Sequence, residues 1–394
     1  MKKYFTLFAS FLIMLCIGSV YAWSIIASEL IEKYNFSAFQ SQLVFGGLIA
    51  VFPVTMIFAG QLNRKINLKY LGYIAGVLFF IGYYIASHSH GNFLMVFVGI
   101  SVFAGIGTGF GYWLALTSPV LWFPRKKGLI TGIAAAGFGL GAIFMSEVSE
   151  KILASGKDVL QLLEIIGFLY GFAIVILSNF IFKSQSVDQI YENKSAMNII
   201  WRTPIFKKLF AGIFLGTFAG LLIIGSLKII GEQSNILSHT LVLGVALFAI
   251  ANFLGRLAWG FLSDRIGASL SIFIALLFQS LAIILLNIQL SDVSYLILSF
   301  FIGFGFGGNF VLFAKETAEL YGIDRLGTIY PYVFLGYAIA GIAGPVSGGF
   351  LFDFSGNFFY AINLASIMSF AGGLLFLKEF FSARKSKLLI DSKQ

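Results

Sequence analysis

Residues 92–117 read NFLMVFVGISVFAGIGTGFGYWLALT, a predominantly apolar run without a single charged side chain. An α-helix rises about 1.5 Å per residue, so about 20 residues cross a hydrocarbon core of roughly 30 Å. This run is therefore long enough to span a membrane. Further runs of the same kind occur at 4–28, 41–61, 69–87, 128–146, 163–182, 208–227, 240–262, 268–288, 292–314, 326–352 and 357–377. The sequence thus predicts an all-α membrane protein with twelve transmembrane helices.

The composition excludes a water-soluble fold. Hydrophobic residues make up 59% of the 394 residues and charged residues only 11%, about half the usual charged share. The first apolar run is too long for a signal peptide and continues through Tyr21 and Trp23, so we interpret it as the first span. Cys16 is the single cysteine, which excludes an intrachain disulfide and a cysteine-based metal site.

Basic residues predict the orientation of the chain, because Lys and Arg near span ends stay in the cytoplasm. Most of them fall on alternate connections that share one face: Lys2, Lys3, Arg64, Lys65, Lys69, Arg125, Lys126, Lys127, Lys207, Lys208, Arg265, Arg325, Arg384, Lys385 and Lys387. We therefore expect both termini in the cytoplasm and the protein in the cell (inner) membrane. The net charge of +9 follows from this topology, and no nucleic-acid partner is needed to explain it.

The two halves of the chain resemble each other at a shift of 200 residues. Gly60-Gln-Leu62 aligns with Gly260-Phe-Leu262, and Gly105 and Gly107 align with Gly305 and Gly307. This pattern indicates a parallel internal repeat. The predicted domains are a six-helix bundle at 1–183, a cytoplasmic linker at 184–207, a second bundle at 208–380 and a cytoplasmic tail at 381–394.

A loop motif in the second half is typical of the major facilitator superfamily. Gly260-Phe-Leu-Ser-Asp-Arg-Ile-Gly267 fits the pattern G-x-L-x-D-R-x-G, and its predicted gating residues are Gly260, Asp264, Arg265 and Gly267. So short a hairpin is expected to place Asp264 near a helix N-terminus, while the glycines allow close backbone approach. The first-half copy has Arg64 at the Asp position and Asn67 at the Gly position.

Several motifs resemble those of the oxalate/formate antiporter family within that superfamily. The clearest is Trp122-Phe-Pro-Arg-Lys-Lys-Gly-Leu129, and others are Tyr21-Ala-Trp-Ser24, Arg202-Thr-Pro204 and Gly307-Gly-Asn-Phe310. The resemblance implies two six-helix bundles around a central cavity that alternating access exposes to either side. The chain departs from the family at Arg125, where an Asp is usual, and at Ala314, where a Pro is usual.

Arg256 is the candidate site residue that the sequence itself indicates. It lies about 10 Å inside its span, and a charge there costs a few kcal/mol or more unless it faces a cavity, an anion or a partner. The resemblance implies that this arginine binds a substrate carboxylate, for which a bidentate guanidinium is suited. The alternative is an arginine that reaches the cytoplasmic interface or pairs with Asp264.

The resemblance also predicts the charge of the substrate and the lining of its site. Oxalate-handling members carry a second cation, a lysine, at the position of Tyr337, so one fixed charge here favours a monoanion. The expected aromatic lining comprises Tyr21, Trp23, Tyr112, Phe306, Phe310 and Phe334. Helix packing is an equally good explanation for any one of these phenylalanines, because the chain contains 46 of them.

The sequence offers no clear proton relay. Animal-type monocarboxylate carriers place an Asp one turn before the matching arginine, where this chain has Asn252, and Glu147 and Lys228 lie near outer span ends. Exchange or facilitated movement is thus favoured over proton symport.

We expect a monomeric transporter of a small organic anion, most simply a monocarboxylate, in the lipid bilayer, without cofactor, metal or enzymatic activity. A carrier of another solute, such as an amino acid or a drug-like compound, is the alternative, and a non-transporting receptor is disfavoured.

Overall fold

The computed structural model describes residues 1–36, 38–184 and 200–391, and these residues contain helices and no strand. The α-helices are α1 (Lys2–Gly18), α2 (Trp23–Tyr34), α3 (Ala38–Leu62), α4 (Leu68–Ser87), α5 (Phe93–Val96), α6 (Gly105–Val120), α7 (Lys127–Ala154), α8 (Val159–Ser178), α9 (Pro204–Gln233), α10 (Ser238–Ile266), α11 (Ala268–Ile284), α12 (Asp292–Tyr321), α13 (Leu326–Ser355) and α14 (Phe359–Asp391). The predicted all-α class is confirmed.

Eleven helical segments in the described part of the chain are long and apolar enough to cross a membrane. They correspond to all the predicted spans except the first, which is interrupted. A 3₁₀ turn at Ser19–Ala22 separates α1 from α2. The turn follows Gly18, which packs so closely on the backbone of Phe138 in α7 that a Cβ would collide with it.

A second irregularity lies in the run 92–117. Phe97–Ala104 forms a π-helical segment between α5 and α6. Gly99 within it packs against Gly82 of α4 without room for a side chain on either residue. π-helical segments are rare in proteins, and those that occur are often at functional sites. Hydrophobic periodicity does not reveal them.

Capping residues set where several helices begin. Asp158 forms a capping box with Gln161 at the start of α8, and Thr203 caps α9, whose first residue is Pro204. Gly267 separates α10 from α11 at a φ of 87°, which a residue with a Cβ rarely adopts. Its first-half counterpart Asn67 has an extended backbone and instead caps α4 by accepting from the Lys69 N–H. The two loops therefore differ in backbone conformation as well as in sequence.

The described residues form two compact units. Unit 1 contains those of Met1–Arg125, Ile133–Ile190 and Ile323–Ala338, and unit 2 contains those of Lys126–Gly132, Tyr191–Gly322 and Ile339–Gln394. The start of α7 thus belongs to unit 2 and the start of α13 to unit 1. The predicted domain boundaries stay predictions, and most of the predicted linker 184–207 and the last residues of the predicted tail lie outside the described residues.

Candidate functional site

Arg256 is a buried cation inside unit 2. It lies in α10 with 0% of its surface exposed. Its Nε donates a hydrogen bond to Oδ1 of Asn252, 3.0 Å away and one turn earlier in the helix. Its guanidinium carbon lies 4.2 Å from the centroid of the Phe310 ring in α12, a cation–π contact. Arg256 is thus a buried positive charge that contacts residues of α10 and α12.

Two observations bear on the alternative roles of Arg256. An arginine that reached the cytoplasmic interface would expose its head group, whereas this one is fully buried. Asp264, two turns further along α10, lies 2.9 Å from Lys315 Nζ. Its two carboxylate oxygens also accept from the N–H groups of Gly128 and Leu129 at 3.0 and 2.9 Å. This carboxylate is therefore engaged by other groups.

Glycines bring the Arg256 segment against the start of α7. A Cβ added at Gly132 would lie 2.6 Å from the carbonyl oxygen of Arg256, and one added at Gly260 would lie 2.6 Å from that of Gly128. Residues four apart share one face of a helix, so Asn252, Arg256 and Gly260 lie on the same side of α10. The backbone beside the buried guanidinium is thus fixed by direct helix contact.

The aromatic residues of α12 lie next to Arg256. Phe310 packs edge-to-face on Phe306 with ring centroids 5.2 Å apart, and Phe306 contacts Phe248 of α10 at 5.9 Å. A polar cluster joins α12 to two other helices, because Asn309 Nδ2 donates to Oε1 of Gln279 in α11 at 3.4 Å and Gln279 Nε2 donates to the Gly216 carbonyl of α9 at 2.9 Å. Both predicted phenylalanines therefore lie in the neighbourhood of the predicted arginine.

A second group of predicted residues lies in unit 1. Tyr112 of α6 stacks on Phe334 of α13 with centroids 5.4 Å apart and an interplanar angle of 19°. Phe334 in turn stacks on Tyr337 at 4.9 Å and 19°. Phe52 of α3 lies within 6 Å of all three rings, with centroid distances of 5.5 Å to Tyr112, 5.8 Å to Phe334 and 5.9 Å to Tyr337. Nothing in the sequence distinguishes Phe52 from the other phenylalanines.

The remaining predicted lining residues lie apart from this aromatic cluster. Trp23 is buried at the start of α2, where its Nε1 donates to the Ser41 carbonyl of α3 at 3.1 Å. Tyr21 lies in the 3₁₀ turn Ser19–Ala22, and its side chain is outside the described part of the structure. Trp23 thus joins α2 to α3 in unit 1.

The loop-motif residues surround the start of α7. Asp264 accepts from the first N–H groups of that helix, where the helix dipole favours a negative charge. Gly260 permits the close backbone approach and Gly267 the positive φ. Arg265 is exposed, with its guanidinium 4.3 Å from the Phe261 ring centroid.

Two charged residues are buried although the sequence did not predict them as part of a span. Lys315 and Glu316, both only 3% exposed, lie one and two residues beyond the predicted end of the tenth span, but α12 continues to Tyr321. Lys315 contacts Asp264 and, at 3.5 Å, Glu319. Glu316 accepts a hydrogen bond from Ser269 Oγ at 2.5 Å. A buried carboxylate is thus present in α12, at a position that the sequence did not predict to be buried.

No cluster of three or more metal-ligating side chains occurs among the residues that the structure describes. The candidate site combines a buried cation, aromatic rings and an amide. Such groups can bind and orient an anion.

Comparison with known proteins identifies the family. The family model of the Major Facilitator Superfamily matches residues 5–235 and 209–391. The chain belongs to the Major Facilitator Superfamily. This facilitator is an integral membrane transporter and not an enzyme.

Individual relatives support the same assignment. The MFS-type transporter YhjX of Escherichia coli is 27% identical over 351 residues, which cover 86% of each protein. The oxalate:formate antiporter of Oxalobacter formigenes is 28% identical over 278 residues, or 68% of this facilitator and 66% of that protein. A crystal structure of the transporter FucP in the outward conformation has a TM-score of 0.71 at 14% identity, covering 95% of this facilitator and 98% of FucP, which establishes the fold. The resemblance to the oxalate/formate antiporter family is confirmed.

Proposed function

We propose that this facilitator carries a small monocarboxylate across the cell (inner) membrane by exchange or facilitated movement, with both termini in the cytoplasm. The observation that carries the proposal is the burial of Arg256. A buried charge is costly unless it is compensated, and a guanidinium binds a carboxylate through paired hydrogen bonds. A transported carboxylate would supply that compensation in the loaded state.

The contacts of Arg256 support an anion as its ligand. The neighbour that binds its Nε is the neutral amide of Asn252, which orients the guanidinium without cancelling its charge. Phe310 covers one face of the guanidinium plane. We infer that the substrate carboxylate binds the guanidinium of Arg256.

The proposal of a monoanion rests on Tyr337. Where oxalate-handling members carry a lysine, this residue is a tyrosine that stacks on Phe334. We propose that the unit 1 cluster of Tyr112, Phe334 and Tyr337 contacts the substrate during transport. Such a surface suits a short carbon chain better than a second carboxylate, because an aromatic surface offers little to a charge that has left water. Trp23, Phe306 and Tyr21 remain proposed lining residues.

A counterflow assay tests this proposal. Proteoliposomes loaded with formate, acetate, lactate or pyruvate are assayed for uptake of the same labelled acid, with oxalate and malonate as dicarboxylate competitors. The expected result is acceleration by internal monocarboxylate and weak competition by dicarboxylates in the wild type. Tyr337→Lys adds a second cation and is expected to gain oxalate competition. Uptake that responds to no carboxylate, or to amino acids instead, would favour a carrier of another solute.

A further inference from the structure

A carbonyl near the start of α13 lacks its normal helical donor. In an α-helix the N–H of residue i+4 donates to the carbonyl of residue i. For Gly327 that donor would come from position 331, which is Pro331, and proline has no N–H. Pro331 lies past the first turn of α13 (Leu326–Ser355), so this is a missing bond inside the helix and not an ordinary N-terminal vacancy.

Trp113 supplies the missing bond. Its indole Nε1 donates to the Gly327 carbonyl oxygen at 2.6 Å. The indole is only 4% exposed, and Gly60 of α3 flanks the same oxygen, since a Cβ added there would lie 2.5 Å from it. An acceptor in such surroundings costs free energy when it has no partner. The three residues therefore form one contact between α3, α6 and α13 within unit 1.

In the second half of the chain, the start of α7 is held by an acceptor side chain instead of a donor side chain. There Gly260 flanks the Gly128 carbonyl in the same way, but the hydrogen bonds run from the first N–H groups of α7 to the carboxylate of Asp264. The first-half position that matches Asp264 is Arg64, and an arginine side chain has no acceptor for N–H groups. The first half thus uses an indole donor on a carbonyl where the second half uses a carboxylate on N–H groups.

The residues next to Trp113 and Gly327 belong to the candidate site. Tyr112, the residue before Trp113, stacks on Phe334, and Phe334 stacks on Tyr337. All of them lie within two to three turns of Gly327 along α13 or beside Trp113 on α6. The position of α13 along α6 therefore sets whether these rings meet face to face.

We propose that Trp113 is a positioning residue of the substrate site: its indole replaces the N–H that Pro331 lacks and thereby holds Phe334 and Tyr337 against Tyr112. This inference rests on the proposed function insofar as those two residues contact the substrate. Its structural part concerns only the backbone of α13 and is measurable without any substrate.

The test is a double-mutant cycle on the full-length protein. Trp113→Phe keeps an aromatic ring and removes the donor, whereas Pro331→Ala restores the helical N–H to Gly327. Trp122→Phe is the matched control, because the indole of Trp122 also donates to a backbone carbonyl, that of Phe182 at 3.1 Å, away from α13. The readouts are amide hydrogen exchange of residues 328–337 in the substrate-free protein, and KM and kcat for uptake of the best monocarboxylate.

Trp113→Phe is expected to accelerate exchange in this segment about fivefold to tenfold, the effect of one lost buried hydrogen bond, and to raise KM with little change in kcat. The double variant Trp113→Phe/Pro331→Ala is expected to return both quantities to near wild type, and Trp122→Phe to change neither. Unchanged exchange in Trp113→Phe overturns the proposal, as does a double variant that is no better than Trp113→Phe, because the loss would then come from packing. If the wild type transports no monocarboxylate, the proposed function fails, while the exchange data still decide whether Trp113 holds α13.

Discussion

The Nε of Arg256 donates to the Oδ1 of Asn252 at 3.0 Å, so the buried cation is oriented by a neutral group of its own helix. An amide and a carboxylate have nearly the same shape but differ by one charge. A carboxylate at position 252 would therefore add a negative charge directly beside the guanidinium.

Asn252→Asp is expected to lower the affinity for the transported anion at least tenfold at pH 7. The new carboxylate would pair with Arg256 and compete with the substrate for the same charge. Asn252→Leu removes the orienting bond but leaves the charge, so a smaller loss is expected. Competition curves for uptake measure both variants. An Asn252→Asp protein that transports as well as the wild type would contradict the proposed role of Arg256 in binding the anion.

The contact between Asp264 and Lys315 predicts a stability effect. Lys315 is buried and Asp264 is only partly exposed, with side-chain exposures of 4% and 19%. Removing Asp264 leaves Lys315 with only the longer contact to Glu319 at 3.5 Å. A buried charge that loses its nearer partner is costly, so Asp264→Asn is expected to destabilise the protein by about 2 kcal/mol. Thermal unfolding in detergent measures the change.

A second substitution separates the charge effect from the lost hydrogen bonds. Asp264→Asn/Lys315→Met removes both charges and is expected to recover part of the lost stability. Lys228→Met is the control, because the Lys228–Glu232 pair has side-chain exposures of 63% and 48% and exposed pairs contribute little. No recovery in the double variant would show that the charge of Lys315 is not what Asp264 compensates.

The close contact between α1 and α7 predicts that an alanine lowers stability at Gly18 but not at Gly46. Gly18 faces the backbone of Phe138, whereas a Cβ added at Gly46 in α3 would meet nothing within 4 Å. Gly18→Ala is expected to lower stability by about 1–3 kcal/mol through overpacking. Gly46→Ala is expected to be neutral or slightly stabilising, since Ala favours helix more than Gly does. Equal melting temperatures for the two variants would contradict the close helix crossing.

Much of the fold could be predicted from the sequence because bilayer thickness imposes a length on every span. Eleven predicted runs appear as continuous helices in the described residues. The interruption at Ser19–Ala22 could not be predicted, because the apolar run 4–28 continues through it without a proline or a charged residue. The extension of α12 through Lys315 and Glu316 was missed because a lysine and a glutamate at the end of an apolar run resemble a span boundary.

Only the charged residues of the candidate site could be predicted from the sequence. Arg256 was found because an arginine within an apolar run is costly, and Asp264 because its motif is specific. Trp113 was not found, since its role depends on Pro331, which lies 218 residues away in sequence. Phe52 was missed for a simpler reason, because one phenylalanine among 46 carries no signal.

The most direct test of the account is the initial rate of monocarboxylate uptake into proteoliposomes by wild type, Arg256→Ala, Arg256→Lys and the exposed-loop control Arg125→Ala, with thermal unfolding to verify folding. Loss of a paired, charged hydrogen bond is worth about 2–3 kcal/mol. We therefore expect that Arg256→Ala lowers kcat/KM about 30-fold to 150-fold, that Arg256→Lys falls between it and the wild type, and that Arg125→Ala has no effect. A folded Arg256→Ala protein that takes up the monocarboxylate at the wild-type rate would contradict it.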